Sequence, residues 1–195
     1  YVIDFGDVDL DHAELWPDLM RIVRERVKPD RDGLKENSST IKSIKRYWWR
    51  HAFPRVESYR RTREMSRCLV NSIHSKFLVF TFQPVGRVFT HGLCVFPIYS
   101  FTSFGILQSR IHGAWAWLLS STMKSDLRYS TSDCFDTFPF PLVNPNVVIS
   151  GVELAGRDLY EARAIFMSEV GEGLTKTYNA LTNVECDDEH IIKLR

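Results

Sequence analysis

The sequence predicts a mixed α+β domain, in which a mainly antiparallel sheet packs against helices and a helical segment follows. A change in hydrophobic period is the first reason. Apolar residues recur at helical spacing before residue 66 and after residue 100, whereas residues 68–98 follow a period of two. Composition is the second reason. The chain is 44% hydrophobic over 195 residues and 13% aromatic, which suits one domain with a sizeable core and excludes a disordered chain.

The first forty residues are predicted to form a strand, a helix and a linker. Residues 1–5, YVIDF, alternate and are rich in β-formers, so they predict a strand. A helix is predicted next, with Asp9 or Asp11 as its N-cap and Pro29 as its end. The polar residues 30–39 predict a linker.

Two basic helices and then the sheet are predicted between residues 40 and 99. TIKSIKRYWWRHA places Ile41, Ile44 and Trp48 on one helical face, and Pro54 precedes a second basic helix. The period-two stretches RCLVNSI, KFLVFTFQP and GRVFTHGLCVFPIY are separated by short polar or glycine-containing breaks. They predict strands, most simply an antiparallel set.

The last hundred residues return to helical spacing. Residues 100–123 predict one helix, with Phe104, Leu107, Ile111, Trp115 and Leu118 on one face. A loop is predicted next, over LSSTMKSDLRYSTSDCFDTFPFP, and NPNV at residues 144–147 predicts a turn. A long amphipathic helix ending at Gly171 and two shorter helices follow.

Charge is distributed unevenly, although the total is only +1. Residues 42–76 carry ten basic and two acidic side chains, whereas residues 1–41 and 150–195 each have a net charge of −4. A basic belt between acidic ends is typical of nucleic-acid binding. A solvated helix surface explains the same charges equally well.

Several function classes lack their motifs in this sequence. It contains no GxGxxG, P-loop, GxSxG or HExxH pattern, and its six histidines have no ligand spacing. The four cysteines form no CxxC pair, which argues against a zinc site or a disulfide framework and favours the reducing cytoplasm. No catalytic or metal-binding residue is therefore assigned. Because the chain opens on a strand pattern and ends within a helical one, we expect it to be a piece of a longer protein.

Two stretches carry the residue types that contact nucleic acids. In KSIKRYWWRHAFPRVESYRRTREMSR, arginine and lysine alternate with tyrosine and tryptophan, a pattern suited to phosphate contacts. In the predicted loop, Lys124, Arg128 and the hydroxyl groups of residues 129–132 offer several donors within nine residues. The alternatives are a helix with one buried tryptophan and an ordinary loop held by aromatic packing.

LLSSTMKSDLRYSTSDCFDTFPFP resembles the target-recognition region of type IIG/IIL (MmeI-like) fused restriction–modification enzymes and related N6-adenine DNA methyltransferases. The resemblance extends, in order, over YVIDFGD, KRYWWRHAFPR, GRVFTHGLCVFPI, FGILQSRIHGAWAW and AGRDLYEARAIFM, nearly the whole chain. It implies a bacterial parent enzyme whose separate methyltransferase domain uses S-adenosylmethionine, with or without a nuclease domain. This chain would choose the DNA sequence and hold the duplex while that domain methylates a flipped adenine.

The resemblance also implies a division of the chain and of its residues. Residues 1–40 would lead in from the catalytic domain, residues 41–150 would recognise DNA, and residues 151–195 would form a helical segment. Repeated motif residues, namely Trp48, Trp49, Arg50, Asp126, Arg128 and Tyr129, would serve the fold or contact the DNA backbone. Base readers are expected in the variable stretches 71–76, 90–91, 99–103 and 121–125.

The residues expected to contact double-stranded DNA are Lys45, Arg46, Trp49, Arg50, Arg67, Ser72, Lys76, His91, Ser103, Arg110, Lys124, Arg128, Tyr129 and Ser130. No membrane partner is expected. An alternative function is intramolecular. In that reading the acidic helices after residue 150 dock on the parent enzyme, and DNA contact is minor.

Overall fold

The computed structural model describes residues 2–123, 126–141 and 144–194. It divides the chain into two compact units, residues 1–61 and 62–195. The predicted boundaries at residues 40 and 150 remain a prediction about how function is divided along the chain. Helices and strands both occur, with a three-stranded antiparallel sheet and a helical C-terminal segment, so the predicted fold class is confirmed.

In its described part, the first unit is helical. Its helices are α1 (Leu10–Ala13), α2 (Pro17–Arg26), α3 (Lys28–Asp32), α4 (Ser39–Arg46) and α5 (Val56–Thr62). Asp9 is the N-cap of α1, as predicted, since its carboxylate accepts a 2.9 Å hydrogen bond from the amide of His12. The core of this unit consists of Phe5, Ala13, Met20, Val23, Trp48 and Trp49.

Two predictions for this unit are wrong. Residues 2–5 form no strand, because the described part of the unit offers no neighbouring strand to pair with them, and Phe5 packs among the helices instead. Pro29 does not end a helix but lies in the first turn of α3. Proline is tolerated there because the first-turn amides of a helix have no partner within the helix.

The second unit contains two small antiparallel sheets. The first sheet has the order β3–β1–β4, from β1 (Arg67–Ser72), β3 (Phe80–Pro84) and β4 (Leu93–Phe96), and confirms the predicted strands. The second has the order β2–β6–β5, from β2 (His74–Ser75), β5 (Ser121–Met123) and β6 (Asp126–Arg128). The stretch predicted as a loop is thus partly strand. Its strands are followed by a π-helical turn, Thr131–Phe135.

The described residues of the second unit also form five α-helices. They are α6 (Phe101–Leu107), α7 (Arg110–Leu119), α8 (Ser150–Val170), α9 (Leu174–Thr182) and α10 (Glu189–Leu194). Gly171 ends α8 with φ of 64°, as its position predicted. Among the described residues, no helix has both the length and the apolar character that crossing a membrane requires.

The single helix predicted over residues 100–123 is two helices. Ser109 caps α7, since its hydroxyl accepts a 3.2 Å hydrogen bond from the amide of His112. The side chain of the preceding Gln108 accepts the amide of Phe80 in β3 and donates to the carbonyl of Leu78 just before that strand. The break changes which side chains of α7 are buried. His112 and Ala116 face the core, whereas the predicted core residues Ile111 and Leu118 are 75% and 77% exposed.

The turn predicted at NPNV holds the chain between the sheet and α8. The carbonyl of Pro145 accepts hydrogen bonds from the hydroxyls of Ser100 and Ser103. The Asn146 side chain accepts the amide of Tyr99 at 3.1 Å and donates to the carbonyl of Pro97 at 3.2 Å. These bonds fix where the chain leaves the first sheet and enters α8.

Candidate nucleic-acid interface

The second sheet carries a row of polar side chains on one face. Arg128 of β6 pairs with His74 of β2 on one side and with Ser121 of β5 on the other. Directly paired residues of an antiparallel sheet point to the same face, so the three side chains lie side by side. All three are exposed. We call His74, Arg128 and Ser121 the polar row.

The polar row is available for external contacts. The side chains of Arg128 and His74 form no hydrogen bond or ion pair with any group in the described parts of the chain. Asp126 lies on the same face, two residues before Arg128, and is also exposed. The face therefore offers guanidinium, imidazole, hydroxyl and carboxylate groups, which together can donate to and accept from base edges.

The opposite face of β6 fixes the strand to the core. Leu127, between Asp126 and Arg128, is 2% exposed and belongs to the main hydrophobic cluster. Tyr129 follows directly, and its amide donates to the carbonyl of Ile73 at 2.8 Å. The Tyr129 hydroxyl lies 3.0 Å from Nε2 of the fully buried His112. This arrangement holds the backbone on both sides of Arg128.

Burial perturbs both partners of this hydrogen bond. It raises the pKa of Tyr129 well above its usual range, so the phenol stays protonated. Burial also lowers the pKa of His112 to about 4, because the charged imidazolium loses its hydration there. The pair is therefore neutral at pH 7, and Tyr129 can donate to His112.

The pKa of His112 predicts that stability falls as pH falls. Between about pH 6.5 and 4 the unfolded chain binds a proton that the folded chain excludes, so stability is full above this window and decreases through it. The linked protonation of His112 lowers the free energy of unfolding by about 3 kcal/mol in total across this window. His112→Gln should remove that part of the slope in urea unfolding at several pH values, whereas His91→Gln, at an exposed position, should retain it. Equal slopes for wild type and His112→Gln would contradict the prediction.

In the first unit, the aromatic–basic segment is largely occupied by internal contacts. Trp49 is 9% exposed, and its indole donates to the carbonyl of Val8 at 3.0 Å. Arg50 donates to the same carbonyl at 2.9 Å and lies over the Tyr47 ring at 4.4 Å. Lys45 forms a 3.0 Å ion pair with Glu36. Arg46 is exposed and lies 5.4 Å from the Tyr47 ring centroid.

In the second unit, Arg67 and Ser103 are held by internal contacts, as Tyr129 is. Arg67 donates to the carbonyl of Tyr99 at 2.6 and 3.1 Å and lies over the rings of Phe82 and Phe101 at 3.9 and 4.3 Å. Partial burial lowers the pKa of this guanidinium. Ser103 is buried and bonds Pro145, so it supports the turn.

The remaining expected residues are more accessible. Ser72, Lys76, His91 and Arg110 are exposed, and Ser130 is half-buried with its hydroxyl 3.0 Å from that of Ser132. Lys124 lies outside the described residues. The structure thus brings Arg128 next to two side chains, His74 and Ser121, that sequence reasoning placed only within broad variable stretches. Strand pairing between distant segments was the missing information.

The comparisons with known proteins agree with one another. The sequence profile described as "MmeI, target recognition domain" matches residues 1–142. DNA methyltransferase A of Bacillus subtilis (strain 168) is 33% identical over 78 residues, which are 40% of this chain and 8% of that protein. The structure of the type IIL restriction-modification enzyme MmeI in complex with DNA has a similar fold, with a TM-score of 0.64 and 14% identity.

The structural similarity covers 98% of this chain and 24% of the solved MmeI chain. The chain therefore spans about a quarter of that enzyme and less than a tenth of the curated relative. The profile match covers well over half of the chain and includes the strand that carries Arg128. This chain belongs to the family of MmeI target recognition domains.

Proposed function

We propose that this chain is a non-catalytic module that recognises a specific sequence of double-stranded DNA for a restriction–modification enzyme. The observation that carries the proposal is the polar row on the exposed face of β2–β6–β5, in a chain that belongs to a target recognition domain family. A small sheet of this kind can enter the major groove, where each base pair presents a distinct pattern of donors and acceptors.

Arg128 is the central residue of the proposed base contact. Its guanidinium can donate two hydrogen bonds to O6 and N7 of guanine, the commonest specific contact between arginine and DNA. His74 and Ser121 flank it across the sheet and can contact neighbouring base edges. Because Leu127 and Tyr129 fix the strand, the position of Arg128 is set before DNA binds, which limits the entropy lost on binding.

The other candidate residues divide by their surroundings. Ser72, His91 and Ser130 are proposed to contact the DNA near the polar row or at its edge. Lys45, Arg46, Lys76 and Arg110 are proposed to contact phosphates, because they carry charge at accessible or half-buried positions. Trp49, Arg50, Arg67, Ser103 and Tyr129 are proposed to support the fold, in keeping with their internal bonds.

We further propose that the parent is an N6-adenine DNA methyltransferase that uses S-adenosylmethionine. The support is the resemblance of the sequence and the relative named DNA methyltransferase A. Two grooves of the second unit, as described, carry no aspartate or glutamate that could bind ribose hydroxyls, so their residues do not fit this cofactor. In keeping with the resemblance, we propose that the parent's separate methyltransferase domain binds it.

The proposal predicts salt-dependent binding to duplex DNA. Each neutralised phosphate releases counterions, so the logarithm of the binding constant should fall with the logarithm of salt concentration by about 0.9 per contact. Fluorescence-anisotropy titration of the chain with a random-sequence duplex at two salt concentrations measures this slope. Arg21→Gln is a suitable control, since Arg21 is not among the residues proposed to contact DNA and lies 3.9 Å from Glu25. Absence of binding even at low salt would favour the intramolecular docking function instead.

A further inference from the structure

The unit that carries the polar row also contains an accessible groove. It has a volume of about 370 Å³, within the usual range of ligand clefts, which is about 300–1,000 Å³. Its walls come from the connection after β2, from the α6–α7 corner and from α9. The residues that matter here are Lys76, Phe77, Arg110, Gly113, Trp117 and Tyr178.

One wall is a single stripe of α7. Arg110, Gly113 and Trp117 follow at intervals of three and four residues, so they lie on one face of the helix. Trp117 is 44% exposed, although a tryptophan usually buries most of its surface. Its ring therefore offers an accessible flat apolar surface on the same helix face as the Arg110 guanidinium.

Gly113 lies between the two larger residues of this stripe. A Cβ atom built there would meet no other heavy atom within 4 Å, so packing does not require glycine at this position. Glycine inside a helix costs about 0.5–1 kcal/mol relative to alanine. A ligand that approaches the helix backbone closely would give this glycine a use.

The facing wall carries a positioned cation. The ammonium group of Lys76 donates to the side-chain oxygen of Asn179 at 2.8 Å and lies 4.8 Å from the Phe77 ring centroid. The amide is neutral, so this contact orients the ammonium without cancelling its charge. The Phe77 and Tyr178 rings lie 5.9 Å apart and form an aromatic base beneath it.

The chemistry of the groove points to an anion attached to a planar or sugar-like group. Two cationic residues and no acidic residue line it, and the N-terminus of the ten-residue α7 opens at Arg110. Proteins that hold nucleic-acid backbones combine cations for the phosphates with aromatic rings for the groups attached to them. A phosphodiester with its sugar meets both requirements.

The groove also lies next to the polar row along the chain. Lys76 follows His74 by two residues, so their Cα atoms are at most about 7 Å apart. We propose that the Lys76–Arg110–Trp117 groove binds a phosphodiester of the DNA strand that flanks the bases met by the polar row. Trp117 packs against the adjoining sugar, because the bases of a duplex are stacked on one another. This inference rests on the proposed function and adds a site that positions DNA without reading its sequence.

The sharpest test fills the groove without disturbing the fold. Gly113→Gln has room for its side chain and removes an interior helical glycine, so the melting temperature should not fall. DNA affinity should fall about fivefold or more, in line with the loss of one charged contact to a phosphate. Gly151→Gln is the matched control, because Gly151 is also a helical glycine with no heavy atom near its Cβ position. Its DNA affinity should remain that of wild type.

Charge removal gives an independent readout. Lys76→Gln with Arg110→Gln should reduce the salt slope by about 2 and leave the preferred sequence, selected from a randomised duplex pool, unchanged. Arg128→Ala should instead change that preference. Wild-type affinity and salt slope in both groove variants, while Arg128→Ala weakens binding, would overturn the groove and leave the proposed function standing. Failure of wild type to bind duplex DNA would overturn both.

A third experiment distinguishes binding of the DNA strand from binding of a free nucleotide in the groove. The fluorescence difference between wild type and Trp117→Phe reports contact at this tryptophan. Duplex DNA should change that difference, whereas dAMP and inorganic phosphate should not do so at the same phosphate concentration. A response to dAMP alone would contradict binding of the DNA strand and assign the groove to a nucleotide.

Discussion

Replacing Arg128 by alanine is expected to weaken binding to the preferred duplex by about 1–3 kcal/mol and to relax selection at one base pair. The guanidinium stands in the middle of the polar row and has no partner among the described residues. Its removal would thus take away contacts made with DNA rather than contacts that hold the fold. Anisotropy titration and selection from a randomised duplex pool measure the two effects.

Two variants serve as controls for this prediction. Arg128→Lys keeps the charge but not the forked donor geometry, so it should restore much of the nonspecific affinity and little of the selectivity. Arg157→Ala removes an equal charge from the exposed side of α8 and should leave selection unchanged. If Arg128→Ala melts like wild type and selects the same sequence with the same affinity, the polar row does not read bases.

Replacing Gly156 by alanine is expected to destabilise the second unit by at least about 2 kcal/mol. Gly156 lies where α8 crosses α6, and a Cβ atom there would overlap the carbonyl oxygen of Phe101. Gly105 of α6 faces it, and a Cβ atom at Gly105 would lie 3.3 Å from the Cα of Gly156. Both backbones would have to separate, which disturbs the neighbouring bonds from Thr102 to Glu153 at 2.6 and 2.9 Å.

The same helix supplies the control. Gly151→Ala meets no heavy atom within 4 Å and should change stability by no more than about 1 kcal/mol, in the stabilising direction if at all. Urea unfolding of the two variants beside wild type measures the contrast. Equal stability of Gly156→Ala and Gly151→Ala would mean that the α6–α8 contact adjusts without loss.

Local patterns were enough to predict several elements of this fold. The alternation within residues 68–98 predicted the strands β1, β3 and β4, because successive side chains of a strand point to opposite faces of the sheet. Gly171 predicted the end of α8, since a left-handed cap favours glycine. Asp9 and Asp11 were the two candidates for the start of this helix, and Asp9 caps α1, since its carboxylate binds a free amide three residues on.

Local patterns failed where a distant partner decided the outcome. Residues 2–5 have strand propensity, but a strand also needs a neighbour with free hydrogen-bonding groups. The helix predicted over residues 100–123 breaks where Gln108 bonds the amide of Phe80 at 2.8 Å, a contact 28 residues away in sequence. Its apolar periodicity continued through the break, so Ile111 and Leu118 were assigned to a core that they do not reach.

Burial of a charge also escaped prediction. Arg163 lies in the amphipathic helix α8 and is only 3% exposed. Its guanidinium donates to the carbonyl of Phe80 at 3.0 Å and to the Tyr178 hydroxyl at 3.2 Å, and it lies near the rings of Phe104 and Tyr160. These groups come from four separate elements, so only the folded arrangement satisfies its donors.

The sequence by itself determined the fold class, the position of the main sheet, the end of α8, and the family resemblance that indicated a target recognition domain. These features depend on residue type and on spacing within one element, which sequence displays directly. The tertiary structure decided which polar residues meet. His74 and Arg128 are more than fifty residues apart and become neighbours only because β2 pairs with β6. The groove at Trp117 likewise exists because three separate segments meet there, namely the connection after β2, the α6–α7 corner and α9.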